Sequence, residues 1–378
     1  MTAVTVNWLD RQGQPQQARW QSENGTPAPG QLQCVDDQLS ASEAFRLVSS
    51  GVGLLWQGDY HNARQLLQAL SRRVDKPPRN PPPPAKTPGE AFQRQRQQLA
   101  RRAGLLSLLL IQIEADHRIA LRRAQDVQQA CLEAYGEQSG PYVLSLRELL
   151  GVIGAHEWRK KGVSVPALAG DAIHPHYGVF SPVRGEYVDL VAQAPLPAGV
   201  EQAFDIGTGS GVLAAVLARR GIRQVIATDQ DPRALACATD NLQRLGLAAQ
   251  VTVMQADLFP PGQAPLVVCN PPWLPTQPSS AIEYAVYDPD SRMLRGFLNE
   301  LAAHLTPQGE GWLIMSDLAE HLGLRQAGQL QGWIADAGLK VLGRLDTRPR
   351  HGKARDTSDP LHQARAAEVT SLWRLGRA

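Results

Sequence analysis

The second half of the sequence predicts an α/β domain: a mostly parallel sheet covered by helices on both faces, preceded by a mainly helical N-terminal region. Three observations predict it. From Val200 onward short apolar runs alternate with helical patterns, as they do where a parallel sheet is built from strand–helix repeats. Turn and cap residues separate the runs. A glycine-rich stretch follows the first run at once, where a chain turns sharply from strand to helix beside a ligand.

The strands fall, in order, at Gln202–Ile206, Gln224–Asp229, Gln250–Met254, Leu266–Cys269, Trp312–Ser316, Leu339–Leu345 and Glu368–Leu375. Helical patterns lie between most of them, at Val212–Arg220, Pro232–Leu245, Arg292–Leu305 and Leu322–Ala337. Asp231-Pro232 is an N-cap followed by proline at the first helical position. Gly221 and Gly246 sit where helices stop, and Thr306–Gly309 is a turn before the fifth strand. No helix is read between the last two strands, which suits an antiparallel pair at one edge.

The first half reads differently. Residues 1–39 are rich in Gln, Gly and Pro and show little periodicity. Ser40 and Glu43 have capping-box spacing, and Glu43–Ser49 and Tyr60–Arg73 read as helices. Lys76–Pro84 is proline-rich and predicts an extended spacer. Gln93–Ile113 and Ile119–Tyr135 carry amphipathic patterns, and Gly136 stops the latter. The expected division is a partly helical region at 1–75, a proline-rich linker at 76–88, a helical substrate-recognition region at 89–172 and an α/β domain at 173–378.

The chain of 378 residues is 43% apolar and 20% charged, long enough to bury more than one core. Its net charge of +2 announces no global attraction to nucleic acid. Cys34, Cys131, Cys237 and Cys269 are scattered, which argues against a zinc site and a disulfide framework and fits the cytoplasm. Met1–Gln17 has no signal-peptide core, and the run Leu105–Ile113 is far short of the ~20 residues that span a bilayer. A soluble cytoplasmic protein with no metal and no membrane partner is expected.

The glycine-rich stretch is Asp205-Ile206-Gly207-Thr208-Gly209-Ser210-Gly211. Its G-x-G-x-G spacing differs from the dinucleotide fingerprint G-x-G-x-x-G. Gly207, Gly209 and Gly211 let backbone approach a ligand closely. The second strand ends in Asp229, where a carboxylate accepts both hydroxyls of a ribose. The third leads to Asp257-Leu258, placed to accept from an exocyclic adenine amine and to pack on the ring. An acid at a strand end is also an ordinary turn residue. For Asp229 the ribose role is preferred, because one helix and one strand separate it from the glycine loop.

The fourth strand delivers Asn270-Pro271-Pro272-Trp273 to its C-terminal end, the edge at which open α/β sheets bind ligands. An amide or aniline-like nitrogen shares its lone pair with a π system and attacks a methyl sulfonium poorly. The Asn270 side-chain oxygen and the Pro271 carbonyl can each accept one N–H of such an NH₂ group, fixing it with its lone pair aimed at the methyl. Pro271 and Pro272 stiffen the stretch and remove backbone donors, and Trp273 offers a flat face for the substrate. A plain Asn-Pro turn is the alternative. After a glycine loop and two placed acids, the catalytic reading is the stronger.

Residues 180–316 resemble the seven-stranded, Rossmann-like S-adenosylmethionine (SAM)-dependent methyltransferases with an N-P-P-[YFW] motif. Within them, the HemK-like glutamine N5-methyltransferases of release factors look most similar. Those read N-P-P-Y-I-P, then E-x-x-A-L, then an Asp-containing turn and a helix. Here the text is Asn270–Pro275, Glu283-Tyr284-Ala285-Val286, Asp288-Pro289-Asp290 and the helix from Arg292. Trp273 stands for the usual Tyr. Gly178–Ser181 is more similar to the G-V-F-S of rRNA guanine-N2 methyltransferases. The resemblance implies SAM as cofactor, with Asp205 either touching the methionine amino group or holding the glycine loop. It implies a macromolecular substrate, a protein glutamine in the first reading. The alternatives are an RNA base (adenine N6 or guanine N2) and a non-catalytic SAM-binding scaffold.

Other features carry less. In the segment His174–Phe180, Phe180 is expected at the site, as a substrate contact, and neither histidine as a base. His156-Glu157 begins like a zinc-protease motif but lacks the second histidine, and is read as an exposed helix end. The loop at 346–366 holds Arg348, Arg350, His351, Lys353 and Arg355, which suits either RNA phosphates or a solvated loop.

Overall fold

The computed structural model describes all residues except 1–3, 11, 78–79, 81–82, 184, 279–282, 284 and 350–355. The chain forms two compact units: residues 1–84 with 93–157, and residues 85–92 with 158–378.

The first unit is built on a six-stranded sheet in the order β1-β2-β6-β5-β4-β3. Its strands are β1 (Thr5–Leu9), β2 (Pro15–Trp20), β3 (Leu32–Val35), β4 (Gly53–Trp56), β5 (Leu109–Ile113) and β6 (Tyr142–Ser145). The helices are α1 (Ala41–Ser49), α2 (Tyr60–Val74), α3 (Pro88–Leu106), α4 (Gln128–Tyr135) and α5 (Leu146–Lys161). The start of α3 and the end of α5 count with the second unit. This corrects the expectation of a mainly helical region. The helix expected over Gln93–Ile113 stops at Leu106, and Leu109–Ile113 is a strand between β4 and β6. A short apolar run fits a buried strand or a buried helix equally by periodicity; pairing on both sides decided it. Of Ile119–Tyr135 only Gln128–Tyr135 is helical. β4 and β5 pair in parallel although the proline-rich run lies between them in sequence. That run therefore sits inside one unit; its Pro78, Arg79, Pro81 and Pro82 lie outside the described residues. The segment from His156 to Lys160 is the end of α5, with Glu157, Trp158 and Lys160 exposed, while the half-buried His156 meets the Glu133 carboxylate through Nδ1 at 2.9 Å.

The second unit opens with a small ribbon, β7 (Val163–Ser164) against β8 (Ala172–Ile173), and with α6 (Glu186–Gln193). Its main sheet has β9 (Gln202–Ile206), β10 (Gln224–Asp229), β11 (Val251–Gln255), β12 (Ala264–Cys269), β13 (Leu305–Ser316), β14 (Leu339–Thr347) and β15 (Thr370–Arg377). All seven expected strands are present. Their order is β11-β10-β9-β12-β13-β15-β14. Only β15 runs antiparallel to its neighbours β13 and β14. The helices are α7 (Val212–Arg219), α8 (Pro232–Arg244), α9 (Arg292–His304), α10 (Leu318–His321), α11 (Gln329–Asp336) and α12 (His362–Ala367). The helix expected over Leu322–Ala337 is thus shortened to Gln329–Asp336, and α12 stands where none was read between the last two strands.

Both faces of this sheet are covered. Val188, Val191 and the buried run Val212–Ala218 pack on one side. Phe297, Leu298, Leu301 and Ile334 pack on the other. Each Val, Leu, Ile or Phe among them contributes about 1.5–3 kcal/mol on leaving water, and each Ala less. Asp231 caps α8 by accepting the Arg233 N–H at 2.9 Å, with Pro232 in the first turn. No helix of the described residues is long and apolar enough to cross a membrane.

One polar cluster ties β13 to β15. The Arg374 guanidinium donates twice to Glu310, at 2.8 and 2.6 Å, and the buried Trp312 indole N–H donates to the same carboxylate at 3.1 Å. Burial alone would raise this carboxyl, yet the Arg374 and Trp312 bonds hold it below its ordinary range. Glu310→Ala leaves a buried N–H and a half-buried guanidinium without their acceptor. We expect a loss of roughly 2–3 kcal/mol, discounted for partial exposure, measured as a lower midpoint in urea with an unchanged slope.

Candidate active site

β9 and β12 are adjacent and parallel, with Ile206 opposite Cys269. Gly207 and Asn270, the next residues, therefore begin neighbouring loops at one sheet edge. The sequential strands diverge on either side of this pair, β10 and β11 to one flank and β13 to the other. Such a switch point opens a crevice beyond the strand ends. A cavity of about 790 Å³ lies there.

The cavity wall contains Gly207, Gly209, Asp229, Asp257, Leu258 and the whole stretch Asn270–Trp273, together with Phe180. Two sequence candidates lie behind it. Asp205 is buried: its Oδ2 accepts the Thr208 hydroxyl at 2.6 Å and the Ala214 N–H at 3.0 Å. Of its two possible roles, the bonds seen are those that hold the glycine loop. Gly211, with φ 81°, packs against Ala238 of α8, where a Cβ would come within 3.1 Å of the Ala238 Cα. It serves helix packing and does not border the cavity.

Asp229 points both carboxylate oxygens at backbone. Oδ2 accepts the Gly209 N–H and Oδ1 the Asp231 N–H, each at 3.0 Å. The carboxylate borders the cavity, and these bonds do not use all of its acceptor sites. Burial pushes the Asp229 carboxyl above its ordinary range, with the backbone bonds opposing. Burial does the same to Asp205, pushed up to about 6. Asp257 is exposed at the rim of the cavity, and Leu258 adopts a left-handed φ of 73°. That unusual backbone carries the Leu258 side chain against α9, where a Cβ on Gly296 would lie 2.8 Å from it.

The acceptor motif is held from behind. The Trp273 indole N–H donates to Asn270 Oδ1 at 3.0 Å. An indole nitrogen only donates, so the bonded atom of Asn270 is its oxygen and the amide orientation is fixed. The Trp273 carbonyl accepts from Arg325 at 3.1 Å, and the Leu274 carbonyl accepts the Asp288 N–H at 2.8 Å. Asp288 then accepts the N–H groups of Met293 and Leu294, both at 3.0 Å, which seats the start of α9 beside the motif. Burial raises the Asp288 carboxyl and these bonds oppose it.

Several residues of the wall carried no signal in sequence. Met293 lies over Gly207, and Arg292, Gly296 and Glu300 also border the cavity. Asp288 was visible as part of a turn but not as the clasp of α9. His174 and His176 do not border it. His174 Nδ1 meets the Arg159 carbonyl at 2.6 Å and His176 Nε2 meets Asp240 at 2.9 Å. Tyr284, Arg350, His351, Lys353 and Arg355 lie outside the described residues.

The wall fits SAM on its own chemistry. Carboxylates of Asp229, Asp231, Asp257 and Asp288 border one cavity, a suitable field for a sulfonium cation with an adjoining ammonium group. Asp229 offers the acceptors a ribose needs.

Residues 172–332 match the family model described as the methyltransferase small domain. Among similar proteins, the release factor glutamine methyltransferase of Cereibacter sphaeroides is 31% identical over 169 residues, covering 40% of this chain and 58% of that protein. The ribosomal protein L11 methyltransferase of Pelotomaculum thermopropionicum is 48% identical over 69 residues, covering 18% and 22%. The tRNA1(Val) (adenine(37)-N6)-methyltransferase of Shewanella loihica is 28% identical over 184 residues, covering 46% and 72%. The chain thus spans less than two thirds of the first two relatives, at 58% and 22% of their lengths.

Two substitutions test the geometry. Asp205 keeps its proton to higher pH in the folded chain than its ordinary 3.8 would allow. The contribution of Asp205 to folding stability therefore declines as pH rises from that value to about 6 and is level above. In Asp205→Asn one amide oxygen can accept both bonds, and this contribution to the decline is absent. The variant should melt near the wild type at about pH 4 and above it at about pH 7.5, with SAM affinity nearly unchanged. A tenfold loss of SAM affinity would instead assign the charge to the ligand. Trp273→Phe removes one hydrogen bond worth about 1 kcal/mol and frees the Asn270 amide. Turnover should fall roughly five- to tenfold while the dissociation constant for SAM stays the same, read by single-turnover kinetics and equilibrium dialysis.

Proposed function

We propose that the domain methylates a planar nitrogen in a macromolecule, and that this nitrogen is the side-chain amide of a protein glutamine. The observation that carries the reading is the fixed Asn270 oxygen at the cavity wall. Its indole partner uses one lone pair and leaves the other for one N–H of the substrate. The Pro271 carbonyl takes the second N–H. Two acceptors on one NH₂ group hold the nitrogen with its lone pair directed along the cavity. SAM supplies an electrophilic methyl group. The protein contributes position and a preorganised field, and the surplus proton leaves to solvent afterwards, so no general base is assigned.

In this reading Gly207 and Gly209 bring backbone to the methionine portion, Asp229 holds the ribose hydroxyls, and Asp257 and Leu258 flank the adenine. Phe180 and Trp273 pack against the substrate group. The text after the motif supports an amide, as does the release factor glutamine methyltransferase among the relatives. A second reading is an RNA base, adenine N6 or guanine N2. It is supported by Gly178–Phe180 in the cavity wall and by the tRNA adenine methyltransferase among the relatives. The intact acceptor motif argues against a mere SAM-binding scaffold.

The test is direct. The protein is incubated with radiolabelled SAM and an extract of cells lacking the gene, and RNA is separated from protein. Label in protein is expected, at a glutamine. Label in RNA alone would transfer the acceptor to a base. Asn270→Ala should lower transfer by about a hundredfold or more with SAM binding kept, and survival of activity would refute the assigned role.

A further inference from the structure

Two stretches outside residues 172–332 reach into the cavity. The first is Ala85–Phe92. Thr87 Oγ1 accepts the Glu90 N–H at 3.1 Å, and the Glu90 carboxylate accepts the Lys86 N–H at 2.7 Å. This reciprocal capping pair starts α3. Gly89 is pressed onto the turn after α10, where a Cβ would sit 2.9 Å from the Leu322 carbonyl oxygen. Phe92, only 4% exposed, then packs with Leu274, Leu318, Leu322 and Leu361, and it borders the cavity.

The second stretch lies between β14 and β15 and is also tied down. Asp359 accepts the Leu361 N–H at 2.9 Å and pairs with Arg365 at 2.9 Å. Glu368 accepts the Ser316 hydroxyl at 2.6 Å, and Asp317 accepts the Val369 N–H at 2.7 Å. Leu361, Arg365 and Glu368 consequently stand in the cavity wall.

Strand order places these groups. From β12, which ends at Asn270, the sheet continues to β13 and then β15. Strands lie ~4.8 Å apart, so Glu368, which leads into β15, stands two strands, roughly 10 Å sideways, from the line of β12. Asp229 and Asp257 lie on the opposite flank, at β10 and β11. The chamber of Phe92 and Leu361 is therefore the acceptor side. Phe92, Leu318, Leu322 and Leu361 make its walls largely apolar, and the Arg365 guanidinium there is paired with Asp359. Such walls favour an apolar side chain.

We propose that Phe92 and Leu361 form a specificity wall that receives an apolar side chain neighbouring the methylated glutamine of a protein substrate. This rests on the amide reading of Asn270. It assigns substrate selection to two short segments that the methyltransferase fold does not itself require.

The full chain tests it as Phe92→Ala, Phe92→Leu and Leu361→Ala. SAM affinity is measured by equilibrium dialysis. Transfer of tritiated methyl to protein is measured against rising amounts of extract from cells lacking the gene. Phe92→Ala should keep the SAM dissociation constant within about twofold and raise the half-saturating extract roughly tenfold. Phe92→Leu should recover most of the difference. If the alanine variant does not bind SAM, Phe92→Leu and Leu361→Ala carry the comparison, each with an expected shift of a few fold. Unchanged half-saturation overturns the proposal, as does a parallel loss of SAM affinity in variants that remain folded. A mapped glutamine with only polar neighbours overturns it while the amide reading stands. Label from the wild type in RNA alone overturns both.

Discussion

The pairing of β12 beside β9 is the constraint on which the rest depends. With Ile206 opposite Cys269, the glycine loop and Asn270 leave the sheet side by side. The flanking strands then have no freedom: β10 and β11 bring acids to one side, β13 and β15 bring apolar groups and Glu368 to the other. The cavity is polar where a charged nucleoside cofactor fits and apolar beyond the acceptor motif. That polarity gradient follows strand order along one edge. A slip in the β9–β12 register would separate the two loops and reverse which side chains face each helical layer.

Buried carboxylates fasten this arrangement. Asp205 holds the glycine loop through one oxygen that accepts two donors, and Asp288 holds the first turn of α9 through two backbone N–H groups. Burying a carboxylate is unfavourable unless its lone pairs are satisfied, and here the satisfying donors are the backbone that must be immobile. The Trp273 indole does for Asn270 what these acids do for backbone: it removes a rotation. In the proposed reading, Asn270 is aimed before a substrate arrives, which is the condition for catalysis by position.

Much of the α/β unit was legible in sequence. Parallel strands buried on both faces read as apolar runs, and Asp231-Pro232 and Gly246 mark the ends of α8. The glycine loop, Asp229 and Asn270–Trp273 could be found because each sits at a strand end of known order. The first unit was not legible in the same way. Its strands are short, and Leu109–Ile113 offers the same apolar text to a helix as to a strand. Phe92, Leu361 and Glu368 lie far apart in sequence and meet only through packing, so no spacing announces them. Asp205 was read as a residue of the cofactor site, and its burial behind the cavity wall, which decides what it touches, is a tertiary fact. The left-handed Leu258 likewise depends on the space that Gly296 leaves in α9.

The placement of β15 has a consequence for the order of assembly. This strand lies inside the sheet, between β13 and β14, yet it is the last of the seven to be synthesised. Until it arrives, β13 exposes an unpaired edge and β14 has no neighbour, while Glu368 and Leu361 are not yet in the wall. A growing chain can therefore complete the glycine loop and the Asn270 turn well before the cavity wall is closed. Such a chain would carry an open strand edge of the kind that chaperones cover and that other chains can pair with. The wall of the cavity is completed at the end of synthesis, by the closing strand and the segment that leads into it.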